Sequence, residues 1–305
     1  MRSNPPVAVC VILLAACFAA TPLRAQDSIP SVLERLGTLR SRRVQESSGV
    51  ALSRHHPGVI WTHNDSGDKP MIYAINSAGD VLAVVKVTNA RATDWEDLSL
   101  AQCPEGNSAC LYIGDTGDNS ERRRFASLFV IPEPDPALAR APGDTLESVP
   151  AREVRFTYAD GPHDVEAIYV DGAGNASLVT KGRSGRVVRY QIPRADLLKD
   201  SAVARPADTL AIGPALRTLG RMVTGAAISP SGRRVVVRTY SELYFFRRRD
   251  DGHLVPDGFP CWLGAAEPQG EGVTFVDEAT VILTSESLPN QDSPILRVRC
   301  SRAPR

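Results

Sequence analysis

The sequence lacks a second long apolar segment, an excess of either charge and several common catalytic motifs. Beyond its first 26 residues, no stretch approaches the roughly 20 apolar residues that a membrane-spanning helix needs. Basic and acidic residues number 35 each, so the zero formal charge offers no footprint for nucleic acid or an anionic membrane. Neither P-loop, dinucleotide-binding, HExxH nor GxSxG motifs occur. Any functional site must therefore be sought in other patterns.

The N-terminus has the pattern of an export signal. Arg2 precedes an apolar run at 7–20, and the stretch ATPLRAQ offers a cleavage site after Ala25. The alternative is that LAAC is a lipobox with a lipidated Cys17. We expect a periplasmic or secreted protein without a membrane span. The predicted boundaries are a signal peptide at 1–25, a linker at 26–34, one folded domain at 35–300 and a tail at 301–305.

Four cysteines remain after the predicted cleavage, and an oxidising compartment favours their pairing. Cys103 and Cys110 bracket the turn-rich insert PEGNSA, and closing this short loop is sterically easy. Cys261 and Cys300 are then left for each other. A four-cysteine metal site is the alternative, but the spacings contain no CxxC pair, so we predict two disulfides rather than zinc.

One motif recurs along the chain. Each copy has one or two polar or acidic positions, then a small residue or Asp, then a short apolar alternation typical of a β-strand. A second strand follows about ten residues later and a third often follows that, while no convincing amphipathic helix occurs. The copies are ESSGVAL (46–52), DWEDLSL (94–100), DVEAIYV (164–170), VTGAAIS (223–229) and QGEGVTF (269–275).

Repeated units of three or four strands predict an all-β fold, a single closed β-propeller with five blades. An alternative with six blades places the extra one in segment 119–150. The last unit has only three strands, so we expect the N-terminal strand 35–44 to pair with the strand containing Leu296 and Val298, which closes the ring. Two stacked β-sandwich domains are the other alternative.

Acidic side chains recur at the start of the first strand in four of the five units, and the fourth unit has Thr224 and Gly225 instead. Carboxylates two residues apart on a strand share a face, as in DWED and DVEA, and the first strands of propeller blades line a central channel. Such oxygen ligands suit calcium, although Asp-Gly stretches also form ordinary turns. The predicted metal ligands are Glu46, Asp65, Asp94, Glu96, Asp115, Asp164, Glu166 and Glu271, with Asp65 matching Asp115 in the aligned repeats.

Other side chains complete the predicted site. Lys181 and Arg238, the latter close to Tyr240, replace the aspartates at strand ends in the third and fourth units. They predict contacts to a substrate with phosphate or carboxylate, the alternative being ion pairs with the nearby acids. His63 and His163 lie beside the motifs and are candidate general bases, although a histidine next to an aspartate is often structural.

The stretches ESSGVA, WTHNDSGD, DWEDL, YIGDTGDN, DVEAI and QGEGVTF resemble those of a mostly uncharacterised family of secreted bacterial β-propellers, over about residues 40–300. More distantly, an acidic channel is similar to that of calcium-dependent lactonase and esterase propellers and of β-propeller phytases. The chain departs from the asparagine-rich lactonase ligand set and lacks a DDPA-like phytase motif. The resemblance implies a calcium-dependent hydrolase of a lactone or phosphoester, and we separately expect the protein to be a monomer that binds a small anionic or ester ligand. A non-catalytic, ligand-binding envelope propeller is the alternative.

Overall fold

The computed structural model describes residues 29–213 and 219–300, whose regular secondary structure is almost entirely β-strand. The all-β prediction is confirmed. The predicted signal peptide, Cys17 and the tail 301–305 lie outside the described residues. Within the described ranges, no helix is both long and apolar enough to cross a membrane.

The strands form three sheets. The first contains, in order, β2 (Ser47–Leu52), β3 (Ile60–Asn64), β4 (Met71–Ile75), β5 (Val81–Lys86) and β9 (Asp144–Glu147). The second contains β6 (Trp95–Gln102), β7 (Ala109–Asp115), β8 (Ala126–Pro132), β10 (Arg152–Tyr158), β14 (Ser201–Leu210), β13 (Val187–Ile192), β12 (Ala176–Thr180) and β11 (Val165–Val170). Segment 119–150, where the alternative placed a sixth blade, supplies β8 to this second sheet and β9 to the first.

The third sheet includes the N-terminal strand. It contains β15 (Val223–Ile228), β16 (Arg234–Thr239), β17 (Glu242–Arg248), β19 (Cys261–Trp262), β1 (Ile29–Leu39), β22 (Ser293–Cys300), β21 (Thr280–Glu286) and β20 (Gln269–Phe275), with β18 (Leu254–Pro256) beside β17. Antiparallel pairs dominate all three sheets. The parallel pairs β10–β14 and β1–β19 join groups of antiparallel strands at their outer edges, and the parallel pair β5–β9 adds a single edge strand to the first sheet.

The first strands of five antiparallel groups lie side by side. Strand β2 lies against β6 and β20, β11 lies against β6 and β15, and β15 lies against β20. Each of these strands begins with one of the five repeated motifs. The acidic positions of the motifs are therefore brought toward one another.

The predicted pairing of the N-terminal strand with the last strand is present. Strand β1 runs antiparallel to β22, with Leu33 opposite Val298 and Arg35 opposite Leu296. The strand covers 29–39 rather than 35–44, because Ile29 and Pro30 extend it by pairing in parallel with β19. It thus covers the edges of two strands that would otherwise be open for pairing with another chain.

The hydrophobic core is divided among the spaces between strand groups. Trp61 of β3 and Trp95 of β6 are fully buried in one such cluster, together with Leu111 and Phe129. Packing of this kind removes large apolar surfaces from water and holds neighbouring groups together.

Both predicted disulfides are confirmed. The bond between Cys103 and Cys110 closes the loop between β6 and β7. The bond between Cys261 and Cys300 links β19 to β22, the two strands that flank β1. The second disulfide therefore fastens the N-terminal strand between its two neighbours.

Candidate functional site

Each of the five first strands has a β-bulge near its start. The pairing register shifts after Ser47 in β2, Trp95 in β6, Val165 in β11, Val223 in β15 and Gly270 in β20. A bulge leaves a residue outside the ladder and re-aims its side chain. The residues at these equivalent places are Ser48, Glu96, Glu166, Thr224 and Glu271.

Three carboxylates from two adjacent strand groups meet and are here called the acidic cluster. Asp65, Asp94 and Glu96 each offer an oxygen, and these oxygens all lie within 4.8 Å of one another. Asp65 directly follows β3, and its N–H donates to Glu46 O over 3.0 Å. Asp94 directly precedes β6, whereas Glu96 occupies the bulge. The structure thus unites three of the eight predicted ligands in one group that could hold a metal ion.

A glycine loop packs against the acidic cluster. The N–H groups of Thr116 and Gly117 both donate to Asp94 O, over 3.1 and 3.2 Å. A Cβ atom added to Gly117 would lie 2.0 Å from Glu96 Oε1 and 2.5 Å from Asp94 Oδ2. Only glycine leaves room for both carboxylates here, so the GDTGDN stretch shapes the cluster through its backbone.

The acidic cluster carries unbalanced charge. Burial, helped by the charge of Asp65, raises the pKa of Asp94 to about 6. Burial and the neighbouring acids raise the pKa of Glu96 well above its usual value, and burial also raises that of Asp65. Two ionised carboxylates at this separation repel by about 3 kcal/mol at an effective dielectric constant near 20.

The cluster also has an unsatisfied ligand atom. Asp65 Oδ1 is buried and has no hydrogen-bond partner among the residues that the structure describes. A buried polar atom without a partner is costly, and a hard divalent cation would satisfy this oxygen and neutralise its neighbours. The donor set therefore fits calcium or a similar cation.

Two other predicted ligands are neutralised by basic side chains. Lys181 Nζ lies 2.5 Å from Glu166 Oε1, and Arg183 Nε lies 3.0 Å from Asp164 Oδ2. Burial nevertheless raises the pKa of Glu166 to about 7, against the opposing effect of Lys181. Lys181 thus adopts the alternative role considered from the sequence, an ion pair with a nearby acid.

The match between Asp65 and Asp115 needs correction by one residue. Asn64 stands opposite Ser47, as Asp115 stands opposite Trp95, so the true counterpart of Asp115 is Asn64. Asn64 Oδ1 accepts the N–H groups of residues 45 and 46, and the Asp115 carboxylate accepts those of 93 and 94. A shift of one residue turns a strand side chain to the other face.

Asp115 has a structural set of contacts. Besides those two N–H groups, its Oδ1 accepts a hydrogen bond from the Arg123 guanidinium over 2.7 Å, and the side chain is nearly fully buried. These contacts hold the turn that leads into β6. Asp115 therefore supports Asp94 rather than adding an oxygen to the acidic cluster.

Glu271, another predicted ligand, and Glu286 share Gln269 as a hydrogen-bond donor. Gln269 Nε2 donates to Glu271 Oε1 over 3.1 Å and to Glu286 Oε2 over 2.8 Å. Burial, with Asp65 and Glu46 nearby, raises the pKa of Glu286 to about 7. Burial raises the pKa of Tyr240, whose hydroxyl also bonds to Glu271. Glu286 was not among the predicted ligands. It nevertheless lies in the stretch TSES at the end of a second strand, as Asp65 lies in HND.

Arg238 is enclosed within the fold. Its side chain is fully buried, donates to Gly272 O over 2.7 Å and to Thr284 O over 2.9 Å, and pairs with Glu267. A Cβ atom on Gly270 would overlap the guanidinium. These contacts correct the expectation that Arg238 faces a substrate, because its partners lie in β20, in β21 and in the loop before β20.

Neither predicted general base joins the acidic cluster. His63 is fully buried with its ring edge-on to Trp95, and burial lowers its pKa to about 4. His163 packs between Tyr158 and Tyr190, and its Nε2 lies 3.0 Å from Asp160 Oδ1. The structure corrects the assignment of His63, whose ring is fully buried, whereas the role of His163 as a general base stays a prediction.

A further carboxylate links three first strands. Asp97 is fully buried, and its Oδ2 accepts the N–H of Ile168 in β11 over 2.9 Å and that of Ala226 in β15 over 3.3 Å. Burial raises its pKa well above the usual value. Asp97 is the last letter of DWED, and the bulge at Glu96 turns it away from the acidic cluster. The sequence shows that an acidic residue stands at this position, but it does not show where the Asp97 side chain points.

These features define a β-propeller with an acidic cluster that could hold a metal ion. The chain is similar to the PQQ-bound aldose sugar dehydrogenase from Streptomyces coelicolor, with a TM-score of 0.51 and 11% identity over 90% of this chain and 100% of the other. The chain is also similar to a gluconolactonase from Xanthomonas campestris, with a TM-score of 0.43 and 13% identity over 89% of this chain and 90% of the other. A third similar structure is virginiamycin B lyase from Staphylococcus aureus, with a TM-score of 0.42 and 12% identity over 86% of this chain and 69% of the other.

These comparisons bear on the fold alone, because all identities are low and only the dehydrogenase has a TM-score above 0.5. No protein-family model and no curated protein sequence matches the chain. Membership of the secreted family suggested by the sequence motifs therefore stays a prediction.

Proposed function

We propose that this chain is an exported, calcium-binding β-propeller that hydrolyses an ester, either a lactone or a phosphoester, beside its acidic cluster. One observation carries the proposal. Asp65, Asp94 and Glu96 bring oxygens within 4.8 Å of one another, and Asp65 Oδ1 is buried without a hydrogen-bond partner in the described part of the chain. Such a charge excess is costly in a metal-free site and is the donor set that calcium prefers.

We further propose one closed ring of five blades. The five motif strands lie side by side and carry bulges at the same place, which supports equivalent positions around one axis. The pairing of β1 with β22 supplies the fourth strand that the last motif unit lacks. A single ring explains why acids from distant parts of the sequence meet.

The protein's own residues would prepare the site for an ester. A bound divalent cation supplies Lewis acidity toward a carbonyl or phosphoryl oxygen. Gly117 holds the carboxylates of Asp94 and Glu96 in place through close backbone packing. With both histidines outside the acidic cluster, Glu46 and Glu286 are further candidate proton acceptors, since neither glutamate is fully buried.

A non-catalytic ligand-binding propeller is the second candidate. The Lys181–Glu166 and Arg183–Asp164 pairs favour it, because they already neutralise two of the predicted acidic ligands without a cation. In that case a bound metal would only hold strand groups together.

A calcium titration of thermal stability tests the metal centre. We expect the free energy of unfolding to rise by about 2.7 kcal/mol at a calcium concentration 100 times the dissociation constant. The double variant Asp94→Asn/Glu96→Gln should lose this response. The control Glu105→Gln/Asp292→Asn, which removes the same charges from exposed positions, should keep it.

Activity separates the two candidate functions. With calcium, the wild type should hydrolyse chromogenic esters or lactones, and EDTA or the Asp94/Glu96 double variant should abolish this. Stabilisation by calcium without any hydrolysis would select the non-catalytic candidate. No stabilisation by calcium, magnesium or manganese would reject the metal centre itself.

A further inference from the structure

A second feature adjoins the acidic cluster, a pocket of about 610 Å³ between segment 42–46 and loop 64–69. Its walls include Glu46, Asn64 and Ser66, which flank Asp65 in space and in sequence. The volume lies within the range of small-molecule sites. The pocket is therefore large enough for the part of a substrate that extends from the acidic cluster.

The pocket is rich in basic side chains that have no acidic partner. Arg42, Arg43 and Lys69 line it, and within the described part of the chain none of them forms an ion pair. Arg43 donates only to a backbone carbonyl, that of Gly143, over 2.6 Å. By contrast, three other basic side chains are paired with carboxylates from the predicted ligand set, namely Arg123, Lys181 and Arg183.

The acids of the pocket do not cancel this charge. Asp68 accepts hydrogen bonds from Asn64 Nδ2 over 2.6 Å and from the Lys69 N–H over 2.7 Å, so its oxygens are largely occupied. Glu46 is the only other acid of the lining, so the pocket has two acidic side chains against three basic ones. Three guanidinium or ammonium groups thus remain available to a ligand.

The rest of the pocket offers an apolar surface. Met71, Tyr73 and Val84 lie on its wall, and the Tyr73 hydroxyl is held by Asp68 over 3.3 Å. An organic ligand could place its apolar body on these side chains and its acid group on the basic ones. Arginine forks bind carboxylate and phosphoryl oxygens in pairs, which gives this arrangement chemical specificity.

We infer that the basic pocket, formed by Arg42, Arg43 and Lys69, binds the phosphoryl or carboxylate group of an anionic small-molecule substrate. The orientation of its ester bond toward the acidic cluster rests on the proposed function. Anion binding itself does not. The sequence assigned this role to Lys181 and Arg238, but both are occupied by partners inside the fold.

Calorimetric titration of the full chain with three probes tests the inference. Phenylphosphonate and phenylacetate carry the two candidate acid groups, and neutral phenylacetamide has a similar body without charge. We expect at least one anion to bind and the amide not to bind. Which anion binds more tightly then distinguishes a phosphoryl from a carboxylate substrate.

The double variant Arg42→Gln/Lys69→Gln should bind the anion at least tenfold more weakly. It leaves the Arg43 bond to Gly143 intact, and circular dichroism and melting verify its fold. The control Arg205→Gln/Arg247→Gln removes two exposed, unpaired charges from β14 and β17 and should bind within twofold of the wild type. Binding of the amide as tight as that of the anions, wild-type affinity in the pocket variant, or no anion binding by the wild type would each overturn the assignment.

The metal centre and the basic pocket can fail separately. If calcium stabilises the wild type but Arg42→Gln/Lys69→Gln binds the anion normally, the pocket assignment is overturned and the metal centre stands. If calcium has no effect but anion binding depends on Arg42 and Lys69, the proposed function is overturned and the pocket stands.

Discussion

Lys181 Nζ lies 2.5 Å from Glu166 Oε1, and both side chains are almost completely buried. Glu166 occupies the bulge of β11, the place that Glu96 occupies in β6. Glu96 instead faces Asp65 and Asp94. Equivalent acids in two strand groups are thus balanced in different ways, one by a lysine and the other, in our proposal, by a cation.

The first prediction concerns this ion pair. Lys181→Met should lower the free energy of unfolding by about 3 kcal/mol, because it leaves Glu166 buried without its partner. Urea unfolding measures the change. Lys199→Met, which breaks the exposed pair with Asp196, should cost less than about 1 kcal/mol. Unchanged stability combined with weaker ligand binding would instead support the substrate-binding role predicted from the sequence.

The second prediction concerns pH. Burial raises the pKa of Asp94 to about 6 and those of Glu166 and Glu286 to about 7, from ordinary values of 3.8 and 4.5. Between about pH 4 and pH 7 the folded state therefore binds more protons than the unfolded state. In EDTA, the melting temperature should fall as the pH rises through this window.

Calcium should oppose this loss of stability, because a cation competes with protons for the same oxygens and gains affinity as they ionise. Melting curves from pH 4.5 to pH 8, recorded with EDTA and with calcium, measure both effects. Glu286→Gln should flatten the EDTA curve. A melting temperature in EDTA that rises steadily from pH 5 to pH 7 would contradict the pKa directions.

The third prediction concerns the glycine that packs on the acidic cluster. Gly117→Ala should raise the calcium concentration needed for a given stabilisation at least tenfold, because the new Cβ would displace the carboxylates of Glu96 and Asp94. The control Gly172→Ala adds a methyl group where nothing lies within 4 Å and should respond to calcium like the wild type. Equal calcium responses in the two variants would show that these carboxylates do not form the metal centre.

The fourth prediction concerns the disulfides. Because the sequence separations are 39 and 7, the loop-entropy model assigns about 4 kcal/mol to Cys261–Cys300 and about 2 kcal/mol to Cys103–Cys110. Paired Cys→Ser variants, compared by urea unfolding, measure the two losses. The larger loss should come with easier proteolysis of β1, which the Cys261–Cys300 bond fastens. Equal losses would indicate that the fixing of β1 does not depend on this bond.

Much of the fold could be predicted because its signals are local or can be counted. Alternating apolar residues indicated strands, and four cysteines in a chain predicted to be exported, with one short closable loop, left a single consistent pairing, which is confirmed. A unit that lacked one strand and an N-terminal strand without a unit indicated the β1–β22 pair. The strand bounds were less accurate, because the parallel contact of β1 with β19 left no signal in residues 29–34.

The candidate site was harder to predict, because it depends on bulges. Without them, the side chains of DWED would alternate between the two faces regularly. The structure places Glu96 in a bulge, sends Asp97 to the backbone of two other strands and makes Asn64 the counterpart of Asp115. Bulges have no reliable signal in a single sequence, and each one reverses the direction of the side chains that follow.

The sequence by itself determined that this chain forms strands, where the repeated acids fall and which cysteines pair, because strand periodicity and residue counts need no knowledge of distant contacts. Tertiary structure alone decided which acids remain unbalanced. Whether a carboxylate meets a lysine, as Glu166 does, or two other carboxylates, as Glu96 does, depends on which strand ends lie within a few ångströms of it. The energy of a charge is set by those neighbours and by burial rather than by its own position in the chain.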